Sequence, residues 1–352
     1  MDKPINDNHN ILWVDYAKFF GIFLMIFAHL LYGNCHLWNF IYLFHMPLFV
    51  IIAGYLYKQK TQKENFLKIT WGLLIPYFIY QFLYLPIKLC NLVLWHNEPF
   101  FETLLKCVYG IIFANTSDNL FYIQVCGPCW FIMTIIMIRL LFNFIKINQT
   151  NLLITSILAI IISKILIQNN IIILFCISCA ILAIPYFTFG VFLKKQNIKF
   201  NFIKNKHLLS IIIILGIYIM NLILYYNGLL KLNRPLEPAN NENPSLILMY
   251  IAGIIGSLLV ILFSNLFKAK INFIDKVSKN TLFIIFFHWF ILYFLGWARI
   301  PLHIAILDNI ALKLVLIFIL TVLLLFLCYL AIIILEKKCP LILGKYIPKK
   351  EI

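Results

Sequence analysis

Charge is what this chain has least of. Asp, Glu, Lys and Arg make up 12% of its 352 residues and hydrophobic residues 63%, against roughly 25% and about 45–50% in soluble domains. A soluble globule could not bury so much apolar surface. Gly and Pro number 13 each, no Pro-, Gly- or Ser-rich linker occurs, and no repeat is visible, so no second soluble domain is expected. Neither G-x-G-x-x-G nor G-x-x-x-x-G-K-[ST] is present, which argues against a nucleotide-driven transporter. His-Glu-x-x-His and His-x-x-Glu-His are also missing, and the histidines have no neighbouring carboxylates, so no metal site and no bound cofactor is expected. The net charge of +16 comes without a basic helix or an aromatic RNA-binding motif, so no nucleic-acid partner is expected.

Present instead are ten apolar runs near the ~20 residues that cross a ~30 Å hydrocarbon core. They predict an all-α polytopic membrane protein with about ten transmembrane helices, a single integral-membrane domain over 1–352. The spans lie near 12–33, 37–57, 67–88, 126–145, 152–168, 170–193, 208–226, 246–267, 279–297 and 311–335. The fifth is short and carries Lys164. The first run is too long for a signal peptide and lacks a small-residue cleavage pattern, so it is expected to remain as a span. With the N-terminus inside, Lys88, Lys106, Lys231, Arg234, Arg299 and Lys313 fall outside, and every other Lys and Arg except Lys164 falls inside. That bias places both termini in the cytoplasm.

Two polar excursions then face outward, where a polar partner would be met. One, near 89–125, includes Asn115 to Asn119 and an amphipathic segment from Phe100 to Phe113. The other, near 227–245, carries Arg234, Glu237 and Glu242. Cys126-Gly127-Pro128-Cys129 has the spacing of thioredoxin-type redox sites, but no βαβ pattern surrounds it. A disulfide at the outer end of the fourth span is the better reading, while Cys176 and Cys179 read as small packing residues.

Ionisable groups within spans cost about 2.5–3.5 kcal/mol each on insertion scales, so each is a functional hypothesis. The first span holds Asp15, Lys18 and His29. Asp15 and Lys18, three apart, can pair on one helix face near the inner end; a capping acid beside a snorkelling lysine is the plain alternative. His29 lies in the outer half, roughly 25 Å along the helix. His45 lies roughly 10 Å below the outer surface on the returning second span. The connection, Gly33 to His36, is short enough to make the two helices antiparallel neighbours, so the histidines can share an outer-leaflet site. Pro47 removes the hydrogen bond to Leu43 and should kink the helix toward protein or water. His288 in the ninth span lies near mid-membrane. Trp130 is an interfacial belt residue or a site wall.

Asp15-Tyr16-Ala17-Lys18, Gly21-Ile22 and His29, followed by Phe44-His45-Met46-Pro47-Leu48-Phe49 and Ala53-Gly54-Tyr55-Leu56, resemble the opening of the integral-membrane acyltransferase 3 family. The likeness is greatest to its fucose 4-O-acetylase-type members. Pro128-Cys129-Trp130-Phe131, Gly190 to Lys195, and Ser278-Lys279-Asn280-Thr281 with His288 resemble later family elements. Ala53 stands where the family usually has serine. Lys68-Ile69-Thr70-Trp71-Gly72 stands where it commonly has paired arginines, with Lys68 the remaining basic residue of that acyl-CoA-binding element.

The resemblance implies transfer of an acyl group, usually acetyl from acetyl-CoA as co-substrate, to a hydroxyl of a cell-envelope or secreted glycan, by a multi-pass protein of the bacterial cytoplasmic (inner) membrane. A sugar hydroxyl needs a nearby base, and a neutral imidazole suits that task. His29 is the candidate base or transient acyl carrier, with His45 orienting it or donating to the oxyanion. Asp15, Lys18, Lys68, Trp130 and His288 are the candidates for the substrate or acyl-donor path. A transporter or glycan flippase using the histidines for protons or substrate is the alternative, and it would be expected to show inverted repeats and broken helices.

Overall fold

A computed structural model describes residues 12–31, 35–114, 121–197, 206–231, 245–297 and 309–345. Gly33, Asn34, Asn115 to Asn119, Arg234, Glu237, Glu242 and Arg299 lie outside the described residues, as do Lys3, Lys199, Lys204, Lys349 and Lys350. Among the described residues every regular element is helical. Lipid offers no partner for backbone N–H and C=O groups, so a chain this apolar satisfies them within helices.

Helix α1 is Leu12–Leu30, α2 His36–Tyr42, α3 His45–Tyr55, α4 Gln62–Ile69, α5 Ile75–Cys90, α6 Phe100–Phe113 and α7 Trp130–Phe142. They are followed by α8 Gln149–Gln168, α9 Ile177–Lys195, α10 Lys206–Asn227, α11 Leu246–Ser264, α12 Asn272–Lys279, α13 Thr281–Trp297 and α14 Ile310–Lys338. Among the described residues, eight helical stretches are long and apolar enough to cross a bilayer: α1, α2 with α3, Gln62–Trp95, α8, α9, α10, α11 and α14. The expected fourth span is the shorter helix Gly127–Phe142. The ninth is α13, which leaves α12 at an angle of 87° across Asn280. The third is longer than expected because π-helical turns at Thr70–Leu74 and Asn91–Trp95 join α4 to α5 and extend α5. The amphipathic segment expected from Phe100 to Phe113 is α6.

Helix α1 is central, packing on α3, α11, α12, α13 and α14. Helices α3 and α9 pack at very short range. A Cβ on Gly54 would lie 2.1 Å from the Phe187 carbonyl oxygen, and one on Gly190 would lie 2.0 Å from that of Ile51. Only hydrogen fits there, so the two helices meet backbone to backbone. Tyr186 Oη donates to the Met249 carbonyl at 3.0 Å and Tyr250 Oη to that of Leu182 at 3.0 Å, tying α9 to α11.

The bundle thus has two distinct ends. One gathers Asp15, Lys18, Lys68, Arg139 and Lys279, and Glu336 ties α14 to α12 and the C-terminal turn through Lys276 (2.7 Å) and Lys345 (2.8 Å). Toward the other end lie His29, Trp38, Gln124, Trp130 and Lys231 around a cavity.

Candidate functional site

His45 owes its position to a broken helix. Pro47 is the third residue of α3 and has no N–H to give to Leu43. The chain departs from helical geometry at Leu43–Phe44, where Phe44 has φ −134° and ψ −18°. The break therefore lies one turn before the proline. The Ile41 carbonyl exposed there accepts from Phe44 N–H at 3.2 Å and from His45 Nδ1–H at 3.0 Å. A carbonyl can only accept, so the neutral His45 ring carries its proton on Nδ1 and presents a lone pair at Nε2. His288 repeats the arrangement, with Nδ1–H donating to the Ile284 carbonyl at 2.7 Å. Its Nε2 is buried without a hydrogen-bond partner among the described residues.

His29, in the last turn of α1, meets His288 through a direct ring contact and His45 by way of Tyr42. Its Nδ1 is 3.3 Å from Tyr42 Oη, its ring centroid is 5.3 Å from that of His288 and 5.3 Å from that of Trp289. The Tyr42 ring lies edge-on to His45, with centroids 4.6 Å apart. Tyr42 thus stands between His29 and His45, and His288 backs His29 from inside the bundle.

These groups surround a cavity of about 260 Å³. Its walls include Met25 and His29 of α1, Trp38 and Tyr42 of α2, and His45, Met46 and Pro47 of α3. Gly127 and Pro128 come from the short turn that precedes α7, Trp130 from the first residue of α7, Tyr186 from α9, and Trp289 from α13. Gln124 and Lys231 supply polar ends. Trp38 stacks on Tyr42 with centroids 3.9 Å apart, and Lys231 Nζ sits 4.5 Å from the Trp38 ring centroid and 5.8 Å from that of Tyr42. Among the described residues the chamber therefore combines acceptor nitrogens, the Tyr42 and Tyr186 phenols, the Lys231 ammonium and apolar aromatic walls.

Of the residues singled out in the sequence, His29, His45 and Trp130 line this chamber and His288 adjoins it. Asp15, Lys18 and Lys68 do not. Asp15 is 14 residues before His29, or roughly 21 Å along α1. Its carboxylate accepts from Ser278 Oγ at 2.8 Å, and its charge also acts on Lys18, three residues on. Lys18 feels the charge of Asp15 and, more weakly, those of Arg139 and Lys279, and Lys68 feels that of Arg139. Arg139 Nε is buried without a hydrogen-bond partner among the described residues.

The expected disulfide is absent: Cys126 and Cys129 are both free and wholly buried. The Cys126 N–H donates to Gln81 Oε1 at 3.0 Å, and the intervening Gly127 and Pro128 form chamber wall. This stretch is packed interior rather than exposed loop. Cys176 and Cys179 are buried, as packing residues should be.

Sequence reasoning missed Tyr42, Trp38, Trp289, Gln124 and Lys231. Trp38 and Tyr42, four apart, share a helix face with the turn that reaches His45, and that spacing was the available signal. Nothing in the sequence pointed from Lys231 to Trp38, 193 positions away.

A family model described as an acyltransferase domain matches residues 11–333. Comparisons with curated proteins and with solved structures gave no match.

Proposed function

Because the chain belongs to the acyltransferase 3 family of membrane proteins, whose domain spans residues 11–333, we propose that it transfers acetyl from acetyl-CoA to a hydroxyl of a cell-envelope or secreted glycan. The observation that carries the reading is the pairing of His29 and His45 across Tyr42 in one chamber within the bundle. A thioester is already activated, so the reaction mainly needs a base beside a weak nucleophile. In this reading His29 takes the hydroxyl proton as the oxygen attacks the thioester carbonyl. The new C–O bond forms, the C–S bond breaks, and the proton leaves with the CoA thiolate. His45 presents an acceptor nitrogen, so it orients the incoming hydroxyl rather than donating to the oxyanion.

The basic end of the bundle supports the donor side of the reading. Lys18, Lys68, Arg139 and Lys279 lie within electrostatic reach of one or another of the group, and such clustering of like charge suits the phosphates of CoA. Placed with both termini in the cytoplasm of a bacterial inner membrane, this end meets the acyl-CoA pool and the chamber lies toward the glycan. The fucose 4-O-acetylase-like members remain the subgroup whose motifs the chain most resembles.

The test uses the full chain in proteoliposomes with acetyl-CoA supplied to the basic end. Mass spectrometry of surface glycans from cells with and without the gene identifies the acetylated acceptor. We expect His29→Ala to lower acetyl transfer by at least about 10²-fold, the lower bound of a general base's contribution. Unchanged transfer in a normally inserted variant overturns the assignment.

A further inference from the structure

His288 carries an acceptor nitrogen for which the acyl transfer described above has no use. Its ring is wholly buried on α13 and is not part of the chamber wall. Nδ1–H is committed to the Ile284 carbonyl at 2.7 Å, so Nε2 holds a lone pair, and that atom is buried without a hydrogen-bond partner among the described residues. Leaving a buried acceptor unpaired costs more than a made hydrogen bond contributes. A ring kept only for packing needs no such nitrogen, and on the same helix Phe286, Phe287 and Phe290 pack without one.

The polar ring beside His288 is His29, with centroids 5.3 Å apart and ring planes 36° from parallel. Two neighbours then decide which nitrogen of His29 carries the proton. His288 Nε2 can only accept, whereas the Tyr42 hydroxyl, 3.3 Å from His29 Nδ1, can donate as well as accept. One tautomer serves both, with the proton of His29 on Nε2 for His288 and the lone pair on Nδ1, the side of Tyr42. The other tautomer gives His288 no donor and sets two lone pairs against each other.

We propose that His288 is a positioning residue: its Nε2 accepts from His29 Nε2–H, which makes Nδ1 of His29 the basic atom and holds the imidazolium formed when Nδ1 takes the acceptor's proton. This deepens the acyltransferase reading and rests on it. The hydrogen bond closes by a turn of the His29 ring about its Cβ–Cγ bond, because Ile284 fixes the ring of His288. The hydroxyl proton passes to Nδ1 and leaves with the CoA thiolate, while the Nε2 proton stays between the two rings. A hydrogen bond from a cation is stronger than one from a neutral ring, so the contribution of His288 is greatest where charge develops on His29, in the transition state.

The experiment follows labelled acetyl from acetyl-CoA into the resident glycan of membrane vesicles, from cells in which each full-chain variant replaces the gene. Rates are taken per inserted protein by quantitative immunoblot. We expect His288→Leu to lower kcat by about tenfold or more, the rate equivalent of a hydrogen bond to a charged group, with KM for acetyl-CoA unchanged. His288→Gln, whose side-chain oxygen can stand where Nε2 stands, should restore most of the rate. In the His29→Ala background, His288→Leu should leave the residual rate as it is, because the ring it positions is gone. An unchanged kcat in His288→Leu, an equal fall in both backgrounds, or a Gln variant no faster than the Leu variant overturns the positioning role alone. A raised KM for acetyl-CoA in His288→Leu overturns it as well, by placing the ring on the donor path. No labelled glycan from the wild-type chain overturns the acyltransferase reading and the positioning role with it.

Discussion

At the scale of single residues, the chamber works through the protonation states that neighbouring carbonyls impose. His45 and His288 each give Nδ1–H to a carbonyl one turn back, at 3.0 and 2.7 Å, leaving Nε2 as an acceptor. His29 is the exception, since its Nδ1 faces the hydroxyl of Tyr42. Tyr42→Phe keeps the ring that stacks on Trp38 and removes only that hydroxyl. A neutral hydrogen bond is worth about 0.5–1.5 kcal/mol, so acetyl transfer should fall about 3–10-fold, read as kcat at saturating donor. A drop as deep as that of His29→Ala would mean that the phenol itself takes part in proton transfer.

At the scale of helices, two devices shape the site. Pro47 is the first. Pro47→Ala restores an N–H that can reach Leu43, so α2 and α3 should run on as one helix and carry His45 away from Tyr42. We expect activity to fall at least tenfold while the melting temperature in detergent holds or rises; parallel loss of both would make Pro47 a packing residue only. The second device is the close contact of α3 with α9. Gly190→Ala places a methyl 2.0 Å from the Ile51 carbonyl oxygen, and overpacking of this kind costs about 1–3 kcal/mol or more. Apparent melting should drop by several degrees. Gly296→Ala is the control, because a Cβ there meets nothing within 4 Å.

At the scale of the whole molecule, the basic end and the chamber end should face opposite compartments. Cys35, before α2, and Cys339, after α14, are both exposed, and they lie toward opposite ends of the bundle. In variants keeping one or the other as the single exposed cysteine, a membrane-impermeant maleimide should label Cys35 in intact cells and Cys339 only after permeabilisation. The reverse pattern would invert the protein and with it the side from which acyl-CoA must come. The network of Glu336 with Lys276 and Lys345 should matter less, because partly solvated ion pairs contribute about 0–1 kcal/mol each. Glu336→Gln is expected to shift detergent melting by only a few degrees.

The sequence by itself determined that the chain is helical and lies in a membrane, because long apolar runs have few other ways to satisfy their backbone. It also marked His29, His45 and Pro47, since polar or helix-breaking groups stand out against an apolar background, and the length of the connection made α1 a neighbour of the helix that returns beside it. Tertiary structure alone decided that Ser278 hydrogen-bonds Asp15, that His288 backs His29, and that Lys231 overhangs Trp38. Those partners are brought together by helix rotation and by close backbone contacts such as Gly54 with Phe187. Rotation follows from packing of side chains of similar hydrophobicity, which leaves no period in the sequence to read: every face of such a helix is apolar, and only contact distinguishes the face turned to lipid from the face turned to the chamber.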